Sequence, residues 1–383
     1  MLKRRASIFR NPDSRYTGRI DRRLVANFDW PLLTILLLIL LVGLVNLYSA
    51  THHDEVHQGR FTLQFVWILV GLVLMVLAFA VNYQVYKNLA IGILVAVVIF
   101  LLATLVIGYV SHGARRWLIL GPLRFQPSEF AKLAVTLALA KFLSENQSGA
   151  GLSIKELRWP AAIVLGPTLL VLLQPDLGTA IMTLLIAGTM ILFVGVRKKT
   201  LIGLGVSGAF LAPVMYFFLL KDYQRERILT LLDPARDPTG TGWHIRQSLI
   251  AIGSGRTFGK GFLMGTQTKL DFLPEQHTDF IFSVMAEEWG FIGGFVILAL
   301  FFALVMWGLN IAMQSKDEFG TLLAVGLTAF VFWHVVVNIG MVLGLLPVVG
   351  VPLPFVSYGR TSLLTMMIAV GLLLNISSRR YIF

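Results

Sequence analysis

Of the 383 residues, 56% are hydrophobic and only 14% charged, well under the roughly 25% charged share of a soluble domain. The absence of cysteine excludes disulfides and thiolate metal centres. The basic residues behind the net charge of +12 concentrate where the cytoplasmic segments of a membrane protein should be, and not in a separate basic domain that would bind nucleic acid.

Residues 1–29 form a polar tail with eight Lys/Arg, interrupted by Pro12 and Gly18. The run PLLTILLLILLVGLVNLYSA (31–50) is longer than a signal-peptide core, and no small-residue cleavage pattern follows it, so it reads as a retained first span. Further apolar runs fall near 63–82, 88–108, 130–144, 159–174, 177–195, 201–220, 284–312, 319–343 and 361–377. Most approach the roughly 20 residues that cross a bilayer as a helix; the fourth and fifth are short. The expected fold is an all-α integral membrane protein: a tail over 1–29 and one polytopic domain of about ten transmembrane helices over 30–383.

Loop charge orients it. With the N-terminus inside, the segments 1–29, the turn at Lys87, 145–158, RKK at 197–199, 313–318 and the end with Arg379 and Arg380 are cytoplasmic and hold most short-loop basic residues. Both termini are then cytoplasmic. The connections 51–62, 109–129, 174–176, 221–278 and 344–360 face outside. The large loop 221–278 has eight Lys/Arg against six Asp/Glu, but long loops translocate largely regardless of charge. Within it, LIAIGSG (249–255) suggests a short amphipathic helix along the membrane surface.

The unusual polar residues gather on that outer side. In FLPEQHTDFIF (272–282), His277 and Asp279 stand at the lip of the eighth span; Asp279 reads as a helix cap or as a functional acid. In RFQPSEFAKLAV (124–135), Pro127 and Ser128 open a helix, and Glu129 and Lys132 share a face as a structural pair or as cavity residues. Asp176 in QPDLGT caps the sixth span or joins the same cavity. Arg115, Arg116 and Arg124 in the adjoining loop are solvated charges or phosphate ligands. Together these suit an anionic ligand, with guanidinium groups for phosphates and carboxylates for a base or a divalent cation. His334 and Asn338, four apart, read as interhelical hydrogen-bonding groups. The Pro- and Gly-rich stretch 345–359 reads as a re-entrant or cavity-lining loop. GRTFGKG (255–261) lacks phosphate-loop spacing, and His52, His53 and His57 have no matching ligand set.

The blocks GARRWLILGPLRFQPSEFAKLA, QPDLGTA, DYQRERILTLLDPARDPTGTGWHIRQSLIAIGSG, GKGFLMGTQTKLDFLPEQHTDFIFSVMAEEWG and NIGMVLGLLPVVGVPLPFVSYG resemble the signature blocks of the SEDS family (shape, elongation, division and sporulation), its elongation branch more than its division branch. The resemblance implies a peptidoglycan glycosyltransferase of the bacterial inner membrane that polymerises lipid II on the periplasmic face beside a class B penicillin-binding protein. It places the family's essential carboxylate at Asp279 and its cavity glutamate and lysine at Glu129 and Lys132. One departure is Arg360, where the family usually has glycine.

That reaction needs a base for the acceptor's 4-hydroxyl and positive charge for the departing lipid pyrophosphate. Because Glu129, Asp176 and Asp279 cannot all be ionised close together without compensation, a Mg²⁺ or Mn²⁺ ion held by Asp279 and Glu129 is expected, with Arg115, Arg116 and Arg124 as the metal-free rival. Two other readings remain open: a lipid flippase, which needs access from both sides and no base, and a non-catalytic scaffold. Composition alone would favour a transporter.

Overall fold

A computed structural model describes residues 27–52, 59–111, 114–121, 123–146, 151–270, 272–273 and 275–380; His53, His57 and most of the N-terminal tail lie outside the described residues. In chain order the helices longer than two turns are α1 (Trp30–His52), α2 (Gly59–Ala80), α3 (Tyr83–Ile107), α4 (Pro127–Glu145), α5 (Arg158–Leu173), α6 (Leu177–Val194), α7 (Lys198–Val214), α8 (Asp222–Leu232), α9 (Thr241–Gly255), α10 (Ile281–Met313), α11 (Glu318–Val342) and α12 (Arg360–Arg379). All but α8 and α9 coincide with the ten apolar runs, each within a few residues at either end.

Eight of those ten are long and apolar enough to cross a membrane. The other two are α4 and α5. Helix α5 has 16 residues, about 24 Å at 1.5 Å per residue. Helix α4 carries Glu129, Lys132, Lys141 and Glu145, a composition unsuited to lipid. It avoids lipid because α3, α5, α6 and α11 surround it, and nearly every residue from Pro127 to Ala140 is buried. By contrast α7, whose only buried residue is Thr200, stands at the periphery.

Helices α2 and α12 run parallel and very close. Gln64 Nε2 donates to the Ser357 carbonyl (3.1 Å) near one end, and Asn375 Nδ2 donates to the Ala78 carbonyl (2.9 Å) near the other. Gly371 permits the approach, since a Cβ there would lie 2.4 Å from the Met75 carbonyl oxygen.

Three features of the outer connections differ from the sequence expectation. First, 109–125 is an antiparallel sheet of β1 (Tyr109–Ser111), β2 (Ala114–Leu120) and β3 (Leu123–Phe125), in which the β2–β3 turn uses Gly121 at φ +61°. Second, the amphipathic helix is longer than expected and one face of it is packed: Ser248 Oγ lies 2.8 Å from Ser283 Oγ and donates to the Val342 carbonyl (2.6 Å). Third, α10 is broken at Gly290 (φ 65°, ψ −160°).

The break is repaired by the segment after α9. Lys260 N–H and Gly261 N–H donate to the carbonyls of Glu287 (3.0 Å) and Glu288 (3.0 Å), while Phe291 N–H and Ile292 N–H donate to those of Arg256 (2.8 Å) and Thr257 (3.2 Å). Backbone groups that a kinked helix leaves open are thereby satisfied within protein, as membrane depth requires. This contact demands glycine at 259, where φ is +78° and a Cβ would stand 2.1 Å from the Glu288 carbonyl oxygen. Gly259→Ala is expected to lower the detergent-solubilised melting temperature sharply; the exposed Phe258→Ala is the control that should not. Equal melting of Gly259→Ala and the parent chain would refute the docking.

Candidate functional site

Asp279 lies in the turn of residues 275–280 that precedes α10. It caps nothing: the residue at the N-cap is Phe280, without a side-chain bond. Backbone bonds hold the turn. The Asp279 carbonyl accepts from Asn338 Nδ2 (2.9 Å), which also donates to the Val351 carbonyl (2.7 Å). The Thr278 carbonyl accepts from Ser357 Oγ (2.5 Å) and the His277 carbonyl from Tyr358 N–H (2.9 Å). The stretch 345–359 thus folds back as the expected re-entrant loop, with Val351, Leu353, Phe355 and Val356 buried. Asn338 of α11 is its anchor and more than an interhelical contact.

The Asp279 carboxylate is half-buried and points toward Gly350, where a Cβ would sit 3.5 Å from Oδ2. Gly350 has φ +72°, so a side chain there would be strained as well as close. No described residue donates a hydrogen bond to that carboxylate. Burial pushes its pKa up to about 7, the negative charge of Glu275 adds to the rise, and Arg227 and Arg116 oppose it. A carboxyl that ionises near neutrality and that no described residue engages is suited to receive a proton.

Of the three expected arginines, only Arg116 reaches the acids. Adjacent strand residues face opposite sides: Arg116 donates to the Pro175 carbonyl and lies 3.8 Å from Asp176, whereas Arg115 reaches back to the Leu105 carbonyl (3.5 Å). Arg124 stacks over Tyr109 at 5.7 Å. The second arginine near Asp279 is Arg227 of α8. A long loop gives no sign in the sequence of which of its charges will fold inward.

Asp176 does cap α6, accepting from Thr179 N–H (3.3 Å), and it also accepts from Thr179 Oγ1 (3.0 Å), Ser128 Oγ (3.2 Å) and Gln126 Nε2 (3.3 Å). It is a joint between α4, α6 and β2. His277 is buried, its ring 6.2 Å from that of Tyr358 and its Nε2 3.6 Å from Glu275. Its place is in the wall of the Asp279 turn.

Glu129 and Lys132 do pair, at 2.8 Å, with side chains 7% and 1% exposed. Lys132 Nζ also lies 2.9 Å from His334 Nε2 and sits over the Phe330 ring at 5.2 Å. His334 precedes Asn338 by four residues, so this buried trio lies about one helical turn of α11 from the anchor of Asp279. One Glu129 oxygen, Oε2, has no partner.

A resident metal fits these residues poorly. Glu129 is tied to Lys132 and Asp176 to α6, and among the described residues no three His, Asp or Glu side chains lie close enough to hold an ion.

With this geometry in view, comparison with known proteins is decisive: the model of the FtsW/RodA/SpoVE family of cell cycle proteins matches residues 29–382. This chain belongs to that family. Among relatives of the FtsW/RodA/SpoVE family, peptidoglycan glycosyltransferase MrdB of Escherichia coli K12 is 45% identical over 92% of this chain and 94% of its own. Stage V sporulation protein E of Bacillus subtilis is 39% identical over 91% and 96%. A solved structure described as showing coordination of polymerization and crosslinking by a peptidoglycan synthase complex superposes at TM-score 0.80, with 34% identity over 93% of this chain and 99% of that one. The crystal structure of the rod shape determining protein RodA of Thermus thermophilus gives 0.68, with 32% identity over 92% and 98%.

Proposed function

We propose that this chain is a peptidoglycan glycosyltransferase that polymerises lipid II, with Asp279 as general base. The observation that carries the reading is the Asp279 carboxylate: half-buried, without a donor among the described residues, ionising near neutrality and within the electrostatic influence of Arg116 and Arg227. In the step itself, Asp279 takes the proton of the acceptor sugar's 4-hydroxyl as that oxygen bonds to the donor's anomeric carbon. The bond from that carbon to the pyrophosphate oxygen breaks, and the lipid pyrophosphate leaves with the electron pair. Arg116 and Arg227 offset the charge it acquires. Any Mg²⁺ or Mn²⁺ would arrive on the pyrophosphate of the substrate, since such ions favour phosphate oxygens with one or two carboxylates.

The test is polymerisation of labelled lipid II by the purified chain together with its class B penicillin-binding protein partner; glycan strands are expected. The partner is proposed because the solved complex described above couples polymerization to crosslinking. No product from a folded protein supplied with lipid II and that partner would remove the reading.

We further propose that the site faces the periplasm from the bacterial inner membrane. The distribution of short-loop Lys and Arg supports that orientation. Reporter fusions at residue 240 are expected to read as periplasmic, and fusions after Arg197 or Phe383 as cytoplasmic. A cytoplasmic signal at 240 would put Asp279 on the wrong side for an exported lipid substrate.

A further inference from the structure

The Asp279 carboxylate accepts no hydrogen bond from any described residue, so its place depends on the main chain that carries it. That main chain is held from several elements at once. Three successive carbonyls are engaged: His277 by Tyr358 N–H (2.9 Å), Thr278 by Ser357 Oγ (2.5 Å) and Asp279 by Asn338 Nδ2 (2.9 Å). At the first residue of α10, the Ile281 carbonyl accepts from Asn46 Nδ2 of α1 (2.9 Å). Two of these donors reach further. Asn338 Nδ2 also donates to the carbonyl of Val351 (2.7 Å), which follows Gly350, and a Cβ on Gly350 would lie 3.5 Å from Asp279 Oδ2. One amide nitrogen thus ties the segment that bears the carboxylate to the segment it faces. Ser357 Oγ accepts from Leu353 N–H (2.8 Å) while it donates to Thr278, and the Ser357 carbonyl accepts from Gln64 Nε2 of α2 (3.1 Å). The serine therefore joins α2, the re-entrant loop and the Asp279 turn.

The amides share a second feature. Asn46, Gln64 and Asn338 come from three different spans and are all buried. Each gives its NH2 group to a main-chain carbonyl, while Asn46 Oδ1, Gln64 Oε1 and Asn338 Oδ1 have no partner. A buried acceptor without a donor is unfavourable, and an apolar side chain of similar size would avoid it. What the amides supply in return is donors for carbonyls in a turn and loop that have no regular ladder. A carboxylate of the same shape could not replace them, because once ionised it only accepts.

We propose that Asn338 and Ser357 are positioning residues for the transfer step, acting on Asp279 through its main chain, with Gln64 backing Ser357 and Asn46 bracing the start of α10. The proposal rests on the general-base reading above. A base must stand within hydrogen-bond reach of the proton it takes, and a misplacement of about 1 Å can cost on the order of a hundredfold in rate. Asp279 has no donor of its own to correct such a displacement. Loss of either hold on the turn therefore passes directly to the carboxylate. The same arrangement explains how a carboxylate can be placed and still be open to substrate: the protein spends its donors on the carbonyls of the turn and leaves both carboxylate oxygens for the acceptor hydroxyl. Neither Asn338 nor Ser357 has to touch lipid II for this.

The experiment measures polymerisation of labelled lipid II by the full-length chain with its class B penicillin-binding protein partner. Ser357→Ala and Asn338→Ser are made singly and again in the Asp279→Asn background, and melting temperatures identify the folded variants. Alone, each substitution should lower kcat by about tenfold to a hundredfold and leave KM within about twofold, because a transition-state contact is lost and ground-state binding is not. Ser357→Thr keeps the hydroxyl and should restore most of the kcat that Ser357→Ala loses. In the Asp279→Asn background the same substitutions should cost less than about twofold of the residual rate, since residues that act as a unit are not additive. A purely structural brace, or a direct contact with substrate, would multiply its loss with that of Asp279→Asn instead. Multiplied losses would overturn the proposal, and so would parental kcat in folded Ser357→Ala. If Asn338→Ser does not fold, Ser357→Ala decides alone. Parental polymerisation by Asp279→Asn itself is the separate result that would remove the general-base reading on which the proposal rests.

Discussion

Asp279→Asn is expected to lower polymerisation by at least about a hundredfold, the low end of what a positioned general base contributes, while insertion and melting temperature hold. Asparagine preserves the shape that fits beside Gly350 and removes the basicity. The pH profile makes the role specific. With a carboxyl that ionises at about 7, kcat/KM of the parent chain should rise with pH through that value and level above it, because only the ionised form accepts a proton. Glu275→Gln removes the like charge that raises the pKa, so its profile should move to lower pH; Arg227→Ala removes an opposing positive charge and should move it higher. The linkage to stability has the opposite sign to the activity. A pKa raised in the folded chain favours the protonated form, so that contribution is complete below the ordinary carboxyl value of 3.8 and is lost as pH rises through 7. Parent-like activity in the Asn variant, or a profile indifferent to Glu275 and Arg227, would remove the base assignment.

The sequence carried the helices because each span is a long apolar run, and length and hydropathy suffice to place such a run. It carried Asp279, Glu129 and Lys132 as residues because charge at a span is costly enough to be conspicuous. What it could not carry were the contacts made across the fold. Arg115 and Arg116 are neighbours in the chain, and only the pleat of β2 sends Arg116 to Asp176 and Arg115 to Leu105. Arg227 looks like one charge among many in a long loop until α8 folds back. The three short strands have no long alternation to announce them, and the break at Gly290 is hidden in a continuous apolar run. Its repair by Arg256–Gly261 joins segments separated by some thirty residues. A related contact bears on the expected metal: Glu129, one of the two carboxylates expected to hold it, is paired with a lysine from its own helix.

That lysine sets the second large effect. Lys132 is 1% exposed on its side chain, and it contacts Glu129, His334 and the Phe330 ring. Removing one partner of a buried pair leaves the other charge uncompensated at about 3–5 kcal/mol, and Glu129 already has one oxygen without a donor. Lys132→Met should therefore lower the melting temperature markedly, whereas Glu129→Gln should do less, because Lys132 retains His334 as a second partner. The double variant Glu129→Gln/Lys132→Met removes both charges and is expected to recover most of the lost stability, since replacing a buried pair by neutral groups of similar volume is often neutral. Activity separates structure from function. A pair that only braces α4 against α11 would regain polymerisation along with stability. The position of this trio, one turn of α11 from the Asn338 that holds the Asp279 turn, instead leads us to expect a folded double variant that remains poorly active. In it His334 has lost its ammonium neighbour, and the buried positive charge that could act on an anionic lipid is gone. A double variant that both refolds and polymerises at the parent rate would show that the pair is a strut, and the cationic role would then fall to the arginines alone.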